Sequence, residues 1–154
     1  MNFRTSAIEF SPSFSVPPIV LVVDDSTDAL DLLCEGISAA GYIVIPTKSS
    51  DEAMKCLEFA APDAILLDAT SPDIRGFELG RRIKSMPGRG DIPILFMVES
   101  ANNDQIINSF ENGGSDYIPK PLRVPEVLAR LLTRIVVHAS SKRRRVDSKG
   151  RERI

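Results

Sequence analysis

Short apolar runs alternating with amphipathic stretches predict an α/β domain, a parallel sheet with helices on both faces. Three observations carry that reading. The run Ile19-Val20-Leu21-Val22-Val23 is uninterrupted and aliphatic, as in strands buried on both faces. Ala64-Ile65-Leu66-Leu67 and Pro93-Ile94-Leu95-Phe96-Met97-Val98 repeat the pattern further along. Between such runs the apolar residues fall at helical spacing, beginning with Leu30, Leu33, Cys34 and Ile37.

The elements follow in order. Residues 1–17, with Ser11-Pro12-Ser13 and Pro17-Pro18 across their end, read as a flexible N-terminal arm. The first strand is followed by a helix that Gly41 ends, and Tyr42-Ile43-Val44-Ile45 makes the second strand. Ser49 or Ser50 caps the next helix, which turns Ala53, Met54 and Leu57 inward and exits at Pro62. After the third strand, a helix over residues 76–86 carries Phe77, Leu79 and Ile83, and Pro87-Gly88-Arg89-Gly90 forms a loop. The fourth strand leads to a short helix over residues 103–112, closed by Gly113-Gly114, and Tyr117-Ile118 is the fifth strand. The last helix spans residues 124–138, with Pro125 in its first turn and Val127, Leu128, Leu131, Leu132 and Ile135 on its apolar side. The crossovers are expected to be right-handed.

At 154 residues, 43% hydrophobic and 26% charged, the chain has the balance of one soluble domain with short ends. No apolar stretch has the length of a membrane span and the start lacks a signal-peptide apolar region, so a cytoplasmic location is expected and a membrane is not. Cys34 and Cys56 fall on helices and read as small core residues rather than a disulfide or metal pair. His138 reads as a cation at a helix carboxyl end. The net charge of −2 hides a basic end, since residues 142–154 carry seven basic and two acidic residues. Residues 140–154 are read as a solvated, disordered tail or a linker stub. With no aromatic residue for stacking and no helix-turn-helix beside it, the tail argues against nucleic acid as the partner of this segment.

Charge gathers where the strands end. Asp24 and Asp25 follow the first strand, Asp68 the third, and Lys120 the fifth, within Pro119-Lys120-Pro121. Open parallel sheets bind ligands beyond the carboxyl ends of their strands. Two adjacent carboxylates repel and raise each other's pKa, and a divalent cation relieves that strain. Oxygen ligands alone favour a hard ion such as Mg²⁺. Three carboxylates and one ammonium, without a His, Cys or Ser nucleophile, suit phosphoryl transfer, in which positioning and charge neutralisation do most of the work. The plainer alternative makes Asp24, Asp25 and Asp68 helix or loop caps and Lys120 a surface residue.

With these motifs in this order, the chain resembles the receiver domain of two-component response regulators. Asp24-Asp25 is similar to the family's acidic pair. Leu66-Leu67-Asp68-Ala69-Thr70-Ser71-Pro72-Asp73-Ile74-Arg75-Gly76 resembles its phosphoacceptor loop. Gly113-Gly114-Ser115-Asp116-Tyr117-Ile118-Pro119-Lys120-Pro121 resembles its last strand and Lys-Pro turn. The likeness covers residues 18–139. It implies a flavodoxin-like (βα)5 fold with strand order 2-1-3-4-5, in which the first and third strands are neighbours. It also implies that Asp68 accepts a phosphoryl group from a histidine kinase or histidine phosphotransfer protein. Mg²⁺ would be held by the Asp25 and Asp68 side chains, by the Thr70 backbone carbonyl, and by Asp24 partly through water. Lys120 would neutralise the phosphoryl oxygens, with its bond to Pro121 in cis. Tyr117 matches the family's aromatic switch. Output would pass through the face of the fourth helix, fifth strand and fifth helix to a downstream protein or a linked output domain, and a homodimer is compatible. Beyond its own phosphorylation and slow autodephosphorylation, the family resemblance implies no enzyme.

The departure from the family falls at Val98, where Thr or Ser is usual at the end of the fourth strand. Valine has the shape of threonine without its hydrogen bond. Glu99 follows where a small residue is usual, and Ser100 places a hydroxyl two residues off. The alternative function is therefore an atypical receiver-fold interaction module with weak or no phosphorylation-dependent switching.

Overall fold

Strand β1 (Ile19–Val23) sits inside a parallel sheet ordered β2-β1-β3-β4-β5, the others being β2 (Ile43–Thr47), β3 (Ala64–Asp68), β4 (Ile94–Glu99) and β5 (Asp116–Lys120). The computed structural model describes residues 16–100 and 102–152, with the backbone alone for residues 142–152. Between the strands run α1 (Thr27–Ala39), α2 (Ser50–Phe59), α3 (Gly76–Lys84) and α4 (Asn103–Glu111), and α5 (Val124–Glu152) follows β5. This is the flavodoxin-like order expected. The arm predicted over residues 1–17 lies outside the described residues up to Ser15.

The side-chain alternation of the strands builds two cores. Val20, Val22, Leu66, Leu95, Met97 and Ile118 pack on one face against Leu30, Leu33 and Ile37 of α1 and Val127, Leu131 and Ile135 of α5. Leu21, Val23, Ile65, Leu67, Ile94, Phe96 and Val98 pack on the other against Ala53 and Leu57 of α2 and Leu79 and Ile83 of α3. The central strands β1, β3 and β4 are buried through most of their length. Prolines in the sheet fall on the edge strands β2 (Pro46) and β5 (Pro119), where a missing N–H is tolerated.

Hydroxyl and amide side chains start three helices. Ser26 accepts from the Ala29 N–H at 3.3 Å, Ser49 from Glu52 at 3.1 Å, and Asn102 from Gln105 at 3.1 Å. Ser26 is thus the cap of α1, and neither Asp24 nor Asp25 is used for that purpose. Gly41, at φ +98°, turns the chain out of α1 toward β2.

Several expectations are corrected. Strand β5 extends through Pro119 and Lys120, longer than the apolar pair Tyr117-Ile118. The last helix does not stop at His138 but continues to Glu152. Apolar periodicity ends near Ile135, but Lys and Arg are good helix formers and no proline follows, so the backbone hydrogen bonds carry on. The basic segment through Glu152 therefore leaves the domain as helix rather than as a disordered tail, and Arg153 and Ile154 lie outside the described residues. His138 is accordingly mid-helix, and the helix-end explanation for it falls. Cys34 and Cys56 are half-buried, and burial pushes both thiols up from their ordinary pKa, with Asp31 adding to the effect at Cys34.

Candidate functional site

The register that pairs Val23 with Leu67 brings the next residues, Asp24 and Asp68, side by side at the carboxyl edge of the sheet. Both are buried, whereas Asp25 is exposed. The end of β2 supports this edge: the Asp24 N–H donates to the Thr47 carbonyl at 3.1 Å, and the Thr47 hydroxyl donates to the Val22 carbonyl at 2.9 Å. One carboxylate oxygen from each of Asp24, Asp25 and Asp68 lies within 4.8 Å of the other two.

Lys120 reaches this cluster from β5. Its Nζ is 3.2 Å from Asp68 Oδ1 and 3.4 Å from Asp24 Oδ2. The Lys120–Pro121 peptide bond is cis, as expected. Burial is the main force raising the Asp24 pKa above its ordinary value, and the Asp68 charge adds to it. The Ser26 N–H, 3.0 Å from Asp24 Oδ1, and the Lys120 ammonium pull the other way without cancelling the rise. One ammonium does not balance three acids, and the donor set is oxygen alone. The residues therefore fit a hard divalent cation.

The loop after β3 contributes contacts that sequence reasoning missed. Thr70 was singled out for its carbonyl, yet its side chain is equally engaged. The Thr70 N–H and hydroxyl donate to Asp68 Oδ1 at 2.8 and 2.7 Å, and Lys120 Nζ donates to Thr70 Oγ1 at 3.2 Å. Ser71 lies in the same phosphoacceptor-like stretch, but the sequence gives it no role of its own. Its hydroxyl donates to Asp25 Oδ2 at 2.6 Å while accepting from the Asp73 and Ile74 N–H groups at 3.3 and 3.4 Å. Two adjacent hydroxyl residues, Thr70 and Ser71, one residue beyond Asp68 are the signal that could have been followed. The loop closes on Gly76, where a Cβ would stand 2.3 Å from the Asp68 carbonyl oxygen, so only glycine lets α3 start this close. Arg75 precedes it in the left-handed region, at φ 54°.

Val98 does not join the acids. It is fully buried and packs in the core with Ile94 and Phe96. Glu99 is exposed at the end of β4, and its backbone N–H donates to Gln105 Oε1 at 2.7 Å. Ser100 is exposed in the turn that follows. Tyr117 is half-buried between α4 and α5: its ring meets Phe110 edge-on with centroids 6.0 Å apart, and the Arg130 guanidinium lies 5.3 Å from its centroid. Arg130 is held in turn by Asp116 at 2.8 Å and Glu126 at 3.3 Å.

Comparison with known proteins decides the family. The sequence profile of the response regulator receiver domain matches residues 20–132, most of the chain. The chain belongs to the response regulator receiver domain family. Among its relatives, the phosphate regulon transcriptional regulatory protein PhoB of Pseudomonas aeruginosa is 34% identical over 112 residues, covering 73% of this chain and 49% of the relative. Response regulator MprA of Mycolicibacterium vanbaalenii is 32% identical over 116 residues, covering 75% of this chain and 49% of the relative. The receiver domain thus spans about half the length of these two curated relatives. A crystal structure of a putative response regulator from Chloroflexus aurantiacus superposes with a TM-score of 0.75 at 30% identity, covering 79% of this chain and 99% of that one. Among the described residues, no helix is long and apolar enough to cross a membrane.

Proposed function

We infer that this receiver domain takes a phosphoryl group from the phosphohistidine of a histidine kinase or histidine phosphotransfer protein onto Asp68. The observation that carries the reading is the buried Asp68 carboxylate beside Asp24, with the Lys120 ammonium 3.2 Å away. A carboxylate so placed can attack phosphorus in line, while the ammonium takes up charge on the phosphoryl oxygens. Mg²⁺, held by the side chains of Asp25 and Asp68, the Thr70 carbonyl and, partly through water, Asp24, would supply further charge neutralisation there. Lys120 orients the nucleophile and Ser71 holds Asp25 toward the cluster.

Output is proposed to run through α4, β5 and α5, where Tyr117 touches Phe110 and Arg130 and so links all three elements. The recipient would be a downstream protein or a linked output domain, and the same face could pair with a second copy of the domain. The alternative, an interaction module indifferent to phosphate, is not favoured: the acid cluster and its lysine are complete.

The test is incubation with acetyl phosphate and Mg²⁺ followed by intact-mass measurement. The parent should gain the mass of one phosphoryl group, and Asp68→Asn should gain none. A phosphoryl group mapped to any other residue would overturn the assignment.

A further inference from the structure

We propose that the Thr70 hydroxyl is a catalytic residue of this site, supplying the phosphoryl group with the hydroxyl that β4 lacks. The proposal rests on the phosphoacceptor reading above and assigns Thr70 a second task beside its backbone carbonyl.

The hydroxyls around the cluster are committed differently. Ser26 caps α1 and Ser71 holds Asp25, while Val98, at the end of β4, is apolar and packed in the core. Among the described residues, Thr70 is the one whose hydroxyl donates to Asp68, at 2.7 Å, and it also accepts from Lys120 at 3.2 Å. It therefore stands between the nucleophile and the cation that serves it.

Three donors converge on Asp68 Oδ1: the Thr70 N–H, the Thr70 hydroxyl and Lys120 Nζ. That leaves Oδ2 as the oxygen to attack. With acetyl phosphate, the Oδ2–P bond forms as the bond between phosphorus and the acetyl oxygen breaks, and acetate leaves with the electron pair. The carboxylate's negative charge is consumed in the new bond, and Oδ1 becomes a carbonyl oxygen, a weaker acceptor. Charge now resides on the phosphoryl oxygens. The Thr70 hydroxyl, attached through a rotatable bond, turns from Oδ1 to one of them and remains a donor to the charged group throughout. The interaction strengthens as charge develops on the phosphoryl group, which is the condition for lowering a barrier.

Three variants test this: Thr70→Val, which keeps volume and backbone N–H, Thr70→Ala, and Thr70→Ser, which keeps the hydroxyl. The rate of phosphoryl gain is measured by intact mass with acetyl phosphate at saturating Mg²⁺, with circular dichroism verifying the fold. T70V and T70A should each be slower than the parent by on the order of tenfold, and T70S should retain most of the parent rate. Equal rates for T70V and the parent would overturn the proposal while leaving Asp68 as phosphoacceptor. A T70S rate as low as that of T70V would overturn it too, because packing rather than the hydroxyl would then matter. A parent that gains no phosphoryl mass would overturn the phosphoacceptor reading itself, and this proposal with it.

Discussion

Asp68 on β3 and Lys120 on β5 meet 3.2 Å apart across the end of β4, the strand that separates them. The lysine must reach over one strand, and the parallel register that sets Glu99 against Lys120 and Met97 against Asp68 brings both residues to the same edge of the sheet. A cation and a nucleophile from distant parts of the chain thus share one site, as switch-point geometry allows.

Removing the exposed acid should expose the metal assignment. Asp25→Asn is expected to weaken Mg²⁺ binding by on the order of tenfold from a submillimolar-to-millimolar Kd, because few protein oxygens are available to hold the ion. Tryptophan is absent from the chain, so the titration is best followed by NMR shifts or calorimetry. An unchanged titration curve would remove Asp25 from the ligand set.

Asp24 offers a test by pH. Its pKa is raised in the folded protein, chiefly by burial and then by Asp68, from an ordinary value of 3.8. The folded state then binds that proton more tightly than the unfolded chain does. The stability this contributes is fully present below pH 3.8 and is lost as pH rises through the folded-state value. In chelator, Asp24→Asn should therefore gain stability relative to the parent as pH increases from 4 toward 7. Urea midpoints at several pH values measure the difference, and a gap that stays constant or shrinks would contradict the sign.

Lys84 carries a structural prediction away from the site. Its half-buried ammonium donates to the Gly90 and Ile92 carbonyls, each at 3.0 Å, and its stem occupies the space a Cβ on Gly113 would need. Burial lowers its pKa, with Asp91 opposing the shift. Lys84→Met keeps the stem and leaves both carbonyls without this donor, so unfolding free energy should drop by about 1–3 kcal/mol. Chemical denaturation gives the value directly.

Val98→Thr should show opposite effects on stability and on switching. The new hydroxyl enters an apolar cluster with Phe96 and Ile94, at a cost of about 1–3 kcal/mol in the unphosphorylated form. For the hydroxyl to reach the phosphoryl group on Asp68 the end of β4 has to shift out of this packing toward the site, so phosphorylation-dependent NMR shifts at Tyr117 and across residues 103–111 should exceed those of the parent. Equal shifts in the two proteins would mean that Val98 is not the missing contact.

Much of the protein was legible in the chain. The aliphatic run ending at Val23 and the one ending at Leu67 could be placed as buried strands because a strand covered on both faces needs no polar alternation, and Asp24 and Asp68 then had to emerge at their ends. The break at Gly41 is a local matter of φ that sequence reasoning reached, whereas it narrowed the cap of α2 only to Ser49 or Ser50, and the structure assigns it to Ser49. Where α5 ends was misread, because apolar periodicity reports burial and not helicity, and a helix continues past its packed face if its residues permit. The tertiary structure alone decided that Val98 packs in the core, that Ser71 holds Asp25, and that the Thr70 hydroxyl sits between Asp68 and Lys120. The Thr70 and Ser71 contacts depend on the path of an irregular loop, which is drawn in where Gly76 lies against the Asp68 backbone. Periodicity assigns a side chain to a face of a strand or helix, but a loop has no period, so its hydroxyls find their partners only when the sheet, the helices and the loop are assembled together.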